Sequence, residues 1–226
     1  TGVSIPGDVR DRQFNTELVE RAIAELGGLD VVVVNAGKQV SRPAITDITD
    51  EQFDETVKTN VYGMFWLLKD VVPHLEAGAS IILTTSIQAY SPSENLVDYA
   101  STKATINTFT KALAQEGAAK GITVNAVAPG WIETASSLPE ELQAATRVPV
   151  GRAGRPAEVA AAIEEHYAPQ GPNDPVPTAP LSTPCSSASI SSWESRSWTA
   201  IGLPCYCNTK LVNSTCSIAT LPVSAS

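Results

Sequence analysis

Residues 31–37 read Val31-Val32-Val33-Val34-Asn35-Ala36-Gly37, and they set the frame for the rest of the chain. Four consecutive apolar, β-branched residues form the continuous run expected of a strand covered on both faces. Upstream, Phe14, Leu18, Val19, Ala22, Ile23 and Leu26 fall on one helical face, and Gly27-Gly28 supplies the stop. Before that helix, residues 3–8 read as the end of a strand that breaks at Pro6-Gly7. Downstream, Thr49-Asp50-Glu51-Gln52 starts a helix, with Thr49 or Asp50 as cap. That helix runs through Phe53, Val57, Val61, Phe65 and Leu68 to Pro73. Then come an apolar strand over 80–86, a long helix over 96–120 and a buried strand over 122–128 ended by Pro129-Gly130. A helix over 156–165 follows, with proline in its first turn. Strand and helix alternating at this spacing predict an α/β fold. Its parallel strands are joined by right-handed crossovers, with helices on both faces of a doubly wound sheet.

The composition breaks near residue 167. All but four of the charged residues lie in 1–167, the exceptions being Asp174, Glu194, Arg196 and Lys210. Serine, proline and threonine make up 26 of the last 59 residues, and all four cysteines lie there. Residues 1–167 are therefore read as the domain, and 168–226 as a low-complexity, irregular tail of disordered or out-of-frame character. Cys205-x-Cys207 with Cys185 and Cys216 lacks paired zinc-ligand spacing, so no metal site is expected. Across all 226 residues, 15 Lys+Arg against 24 Asp+Glu give a net charge of −9, which argues against nucleic acid or an anionic membrane as partner. No apolar run approaches the roughly 18 residues of a membrane span. The chain opens at Thr1 and its sole methionine is Met64, so it is read as lacking its natural start, and the sequence says nothing about an N-terminal targeting signal.

In a doubly wound sheet, ligands bind at the carboxyl ends of the strands. The residues there are Asp8, Asn35-Ala36-Gly37, Ser86 and Pro129-Gly130. Tyr99 and Lys103 are four apart at the start of a helix and share a face. An ammonium close to a phenol favours the phenolate, which suits Tyr99 to general acid/base work. Asn60, in Thr59-Asn60-Val61-Tyr62-Gly63, interrupts an apolar stretch, and a buried amide needs partners. His74 follows Pro73 near a helix end and His166 lies at the composition break; neither is assigned to catalysis.

In this order the fragments resemble the short-chain dehydrogenase/reductase family, over about residues 3–163. The matching stretches are Asp8-Val9, Asn35-Ala36-Gly37, Asn60, Ser86, Tyr99-x-x-x-Lys103 and Pro129-Gly130-x-x-x-Thr134. Gly151-Arg152-x-Gly154-Arg155-Pro156-x-Glu158-Val159-Ala160 is a further match. Ser86-Ile87-Gln88-Ala89-Tyr90 with Asp98-Tyr99-Ala100-Ser101-Thr102-Lys103 is most similar to the glucose/ribitol-type and general-stress branch. The resemblance implies a Rossmann-like fold and NADP- or NAD-dependent hydride transfer between a secondary alcohol and a carbonyl compound. It implies Asn60, Ser86, Tyr99 and Lys103 as the catalytic set. Asp8, Val9, Asn35, Ala36, Gly37, Tyr99, Lys103, Pro129, Gly130, Ile132 and Thr134 become cofactor contacts, with Gln88 and Trp131 facing substrate. By the same resemblance Asn60 holds a water in a proton relay, the location is cytoplasmic, and a full-length protein forms a homodimer or homotetramer through the two long helices. Two departures stand out. The family's opening strand–turn–helix with its Thr-Gly-x-x-x-Gly-x-Gly loop, part of the first βαβ unit, is not found, which predicts a gap between the strand ending at Asp8 and Val31–Val34. The sequence after about Glu164 also leaves the pattern, so an inactive fragment or non-catalytic binding protein is the alternative.

Overall fold

The computed structural model describes residues 3–135, 137, 139–167 and the pair 215–216, with the side chains of 140, 141, 165–167, 215 and 216 left aside. In chain order the elements are β1 Ile5–Pro6, α1 Arg12–Leu26, β2 Val31–Val34, α2 Asp50–Val57, α3 Gly63–Val71, β3 Ser80–Thr84, α4 Val97–Ala118, β4 Thr123–Val127, α5 Pro139–Ala145, α6 Pro156–Tyr167 and β5 Thr215–Cys216. The strands β2, β3 and β4 form a parallel sheet in that order, with Val32 opposite Ile81 and Ile81 opposite Val124. Alternation along β3 divides the core between two faces. Ile81 and Leu83 join Val32, Val34 and Val124 in a cluster with Leu18, Val19, Leu67 and Leu68 of α1 and α3. Ile82 faces the other way and packs with Val127, Ile132 and Val159 of α6. Helices thus cover both faces, and the parallel Rossmann-like arrangement expected from the alternation is present.

Most element ends fall where local chemistry puts them. Asp11 caps α1 by accepting from the backbone N–H of Gln13 and Phe14, and Gly27 ends it in the left-handed region at φ 82°. Thr49 is the cap of α2, accepting from Gln52 N–H. At α6, Glu158 reaches back to the backbone N–H of Arg155 at 2.7 Å, as a third-position glutamate does in a capping box. Arg152 forks onto the same carboxylate at 2.7 and 2.9 Å. The Arg152 side-chain bonds, then the Arg155 backbone bond, hold the Glu158 pKa at about 2 against an ordinary 4.5. A depressed carboxylate stabilises the fold above its unfolded pKa, and that contribution is lost as pH falls through the folded value. The gap in urea midpoint between the native chain and Glu158→Gln is therefore expected to be constant above pH about 4.5 and to shrink towards pH about 2. A gap that does not vary with pH would contradict it.

Three features depart from the sequence reading. β1 does not join the main sheet but pairs antiparallel with β5, Ile5 opposite Cys216. Among the described residues β2 is hydrogen-bonded to β3 alone, and Val31 and Val33 are half-buried. Within 168–226 the structure describes only β5, a short piece of regular structure where irregularity was expected; the rest of the tail, with Cys185, Cys205 and Cys207, lies outside the described residues. The helix read as continuous from 50 to 73 contains a π turn over Lys58–Tyr62. Beyond that turn the buried face is apolar, with Met64, Leu67, Leu68 and Val71, but up to Asn60 the buried residues are polar. Phe53 and Phe65 are 51% and 41% exposed, while Gln52, Thr56, Thr59 and Asn60 are buried. Gln52, Thr56 and Asn60 face inward onto partners on α4, while the Thr59 hydroxyl donates back to the Glu55 carbonyl of its own helix. Among the described residues no helix is long and apolar enough to cross a membrane.

Candidate active site

The carboxyl ends of β2 and β3 and the first turns of α4 converge on one buried polar cluster. Lys103 is 1% exposed, on a side chain whose Nζ donates to the carbonyl of Thr84 at 2.7 Å. Its Nζ also lies 5.5 Å from the centroid of the Tyr99 ring, itself 3% exposed, as the spacing of four on α4 requires. Thr85 Oγ1 donates to the Lys103 carbonyl at 2.7 Å, fixing α4 against the end of β3.

Asn60 sits in the π turn, a distortion often found at functional sites. Its Oδ1 accepts from Lys38 N–H at 2.6 Å, and its Nδ2 donates to the Lys38 carbonyl and to Thr102 Oγ1, both at 2.9 Å. Thr102 Oγ1 in turn donates to the Tyr99 carbonyl at 2.7 Å. One amide therefore ties the loop after β2 to the helix that carries Tyr99. Asn35 joins the same end of the sheet by accepting from Thr84 Oγ1 at 2.9 Å.

Ser86 follows β3 and is 5% exposed; its Oγ donates weakly to the Pro129 carbonyl at 3.4 Å and accepts from Gln88 N–H at 3.2 Å. Ile87 N–H donates to the same carbonyl at 2.8 Å, so the segments after β3 and β4 are joined at this point. The strip from Trp131 to Glu133 is held through Gly154: Gly154 N–H donates to Trp131 O at 2.8 Å, and Glu133 N–H to Gly154 O at 2.9 Å. This buries Ile132 among Ile82, Val127 and Val159. Ser137 braces the same strip by accepting from Thr134 N–H at 2.8 Å and donating to the Ile132 carbonyl at 3.2 Å. Trp131 is 43% exposed at the rim, with Ile87 and Tyr90 also exposed.

A match to the family model described as "Enoyl-(Acyl carrier protein) reductase" spans residues 1–164. The chain belongs to the short-chain dehydrogenase/reductase family. It is 48% identical over 164 residues to the uncharacterized oxidoreductase YghA of Escherichia coli K12, covering 70% of this chain and 56% of that protein. With general stress protein 39 of Bacillus subtilis it shares 46% identity over 159 residues, covering 68% and 56%. Among solved structures, a short-chain dehydrogenase of Burkholderia cenocepacia in complex with NADP superposes with TM-score 0.69 at 29% identity, covering 73% of this chain and 69% of that one. The chain thus spans little more than half the length of the curated relatives it matches.

The nicotinamide cofactor that such a family implies fits one end of the site better than the other. At Gly37 an added methyl would lie 3.4 Å from Lys103 Nζ and 3.6 Å from Asn60 Oδ1, so the bare backbone keeps that space beside the lysine open. At Gly130 an added methyl would meet nothing within 4 Å. The other end is more occupied. Arg10 grips both oxygens of Asp8, at 3.0 and 2.7 Å, and its side-chain bonds hold the Asp8 carboxyl below the usual range. Arg10 also approaches Glu55, which pairs with Lys38. The Gln88 amide likewise has both ends engaged, with Ser93 Oγ at 2.9 Å and Ser93 N–H at 2.7 Å. It closes its own loop at the place where a substrate contact was expected.

The sequence reading gave no role to Thr84, Thr85, Thr102 and Ser137, which brace the named residues; of these only Thr102 stands in a stretch that carries the resemblance. The signal available for them was position alone: polar residues at the ends of apolar strands, or one residue before Lys103.

Proposed function

We propose that this chain carries the active-site part of an NADP- or NAD-dependent oxidoreductase. It would interconvert a secondary alcohol (a sugar, a polyol or another small compound) and its carbonyl form. The observation that carries this reading is the buried Tyr99–Lys103 pair tied by Thr102 and Asn60 to the carboxyl ends of β2 and β3. In the reducing direction Ser86 donates a hydrogen bond to the substrate carbonyl oxygen, stabilising the charge that builds there. Tyr99 gives its proton to that oxygen, and Lys103 favours the phenolate left behind. Asn60 has its side chain committed to Lys38 and Thr102, so the relay water expected of it belongs on its main chain. Lys103, Gly37 with Asn35 and Ala36, Val9, and the strip of Pro129, Gly130, Ile132 and Thr134 are the residues that would hold the cofactor. When bound, the nicotinamide supplies or accepts hydride, chemistry that belongs to the cofactor. Asp8 reaches an adenine only in competition with Arg10.

Trp131 at the rim supplies an aromatic wall suited to a ring-shaped polyol. Self-association through α2–α3 and α4 is part of the same proposal, supported by exposed Phe53, Tyr62, Phe65 and Val97 along those helices.

Titrating the chain with NADPH and with NADH, followed by nucleotide fluorescence, is expected to give saturable binding with Kd on the order of micromolar. The phosphate-holding glycine loop is not found in these 226 residues, so the titration is discriminating. Absence of binding of either nucleotide at millimolar concentration would favour the non-catalytic alternative.

A further inference from the structure

Asp98 is a carboxylate that no part of the proposed chemistry uses, yet it is 1% exposed and stands next to Tyr99. Carboxylates are rarely buried to that degree without a cation, and among the described residues no lysine or arginine bridges to it. Its partners are neutral. Oδ1 accepts from Tyr99 N–H at 2.8 Å; Oδ2 accepts from Gln52 Nε2 at 3.2 Å and shares the one hydroxyl hydrogen of Thr56, at 2.9 Å, with the Gln52 backbone carbonyl, at 2.8 Å. Leu96, the cap residue of α4, makes no side-chain capping bond. The second residue of the helix therefore meets the first-turn N–H of Tyr99 and the positive end of the helix dipole.

Gln52 and Thr56 are one turn apart on α2, and α2 runs directly into the π turn of Asn60. α4 is thus tied twice to this segment, to α2 through Asp98 just before Tyr99 and to the π turn through Thr102 three residues after it. Two ties on either side of one residue fix both the rotation and the height of its turn. The Gln52 amide also has a cost: its Oε1 is buried without a hydrogen-bond partner. Turning the amide over would not relieve this, because it would set Oε1 against the Asp98 carboxylate. The carboxylate dictates the orientation of the amide.

We propose that Asp98 is a positioning residue for the Tyr99–Lys103 pair, acting through a buried latch with Thr56 and Gln52 of α2. The proposal rests on the reading of Tyr99 as proton donor. Thr56 offers the cleanest test, since Thr56→Val keeps the shape and removes the hydroxyl, while Thr56→Ser keeps the hydroxyl. With 3-fluorotyrosine incorporated, the Tyr99 signal is assigned by its loss in Tyr99→Phe. Thr56→Val and Asp98→Asn are expected to move that signal, and Thr56→Ser to leave it in place. In carbonyl reduction, Thr56→Val and Asp98→Asn are each expected to lower kcat about tenfold or more, with the NADPH Kd and the substrate KM within about twofold. The double variant is expected to lose little more than either alone, as members of one unit do, and Thr56→Ser to restore kcat to within about twofold. An unmoved fluorine signal in Thr56→Val overturns the latch, as do additive losses in kcat. If Asp98→Asn does not fold, the two Thr56 variants decide alone. If the parent chain reduces no carbonyl compound, the functional reading fails, and the fluorine signal still decides the latch.

Discussion

Tyr99→Phe is expected to lower the rate of carbonyl reduction by roughly 10²–10⁴-fold, the usual worth of a positioned acid/base, while changing the NADPH Kd less than about twofold. The ring is 3% exposed and phenylalanine fills the same space, so the substitution removes the hydroxyl and little else. Lys103 keeps its bond to the Thr84 carbonyl, and Thr102 keeps its bond to the carbonyl of residue 99, since neither involves the phenol. A remnant of activity is expected from Ser86, whose hydrogen bond to the substrate oxygen does not depend on Tyr99. Steady-state kinetics beside a nucleotide titration separates the two effects. A kcat within about threefold of the parent would remove Tyr99 from the chemistry, whereas equal losses of binding and rate would indicate a damaged fold.

Much of the sheet was legible because its signals are local. Val31–Val34 is β-branched throughout, and the structure returns the strand with those bounds. Caps and stops at Thr49 and Gly27 were legible for the same reason, each being one side chain or one glycine acting on its own helix end. Helix 50–73 shows where local reading fails. Its apolar residues, spaced by four, suggest an inward face that includes Phe53 and Phe65, yet the buried face carries Gln52, Thr56, Thr59 and Asn60 up to the π turn and Met64, Leu67, Leu68 and Val71 beyond it. What turns the helix over is a set of partners remote in sequence: Asp98 for Gln52 and Thr56, Lys38 and Thr102 for Asn60. No period in the sequence contains that information. Asp8 is the converse case. Its place at a strand end was legible, but its pairing with Arg10 needs the turn that brings the Arg10 N–H within 2.9 Å of Oδ1.

Asn60→Leu is expected to cost about 2–4 kcal/mol of stability and to reduce turnover below detection. Leucine has the same branched heavy-atom skeleton as asparagine but is bulkier, so no cavity forms and crowding at the buried site adds to the cost. What is lost is a bridge: the Lys38 N–H and carbonyl and the Thr102 hydroxyl all bond to one amide that is 1% exposed. A buried donor or acceptor left unsatisfied costs about 1–3 kcal/mol, and relaxation of the 38 loop towards water offsets part of three such losses. The relaxation itself is expected to remove function, because the loop carries Gly37, where an added methyl would lie 3.4 Å from Lys103 Nζ. Asn60→Asp separates the two consequences. It keeps an acceptor for Lys38 N–H but turns a second oxygen on the Lys38 carbonyl and leaves both donor bonds unmade, so it should approach the leucine variant in activity at a smaller cost in stability. Urea unfolding at constant m value, run beside kinetics, reads both quantities. If Asn60→Leu unfolds within about 0.5 kcal/mol of the parent, the amide bridge does not hold the 38 loop to α4, and the site must be organised from β3 and α4 alone.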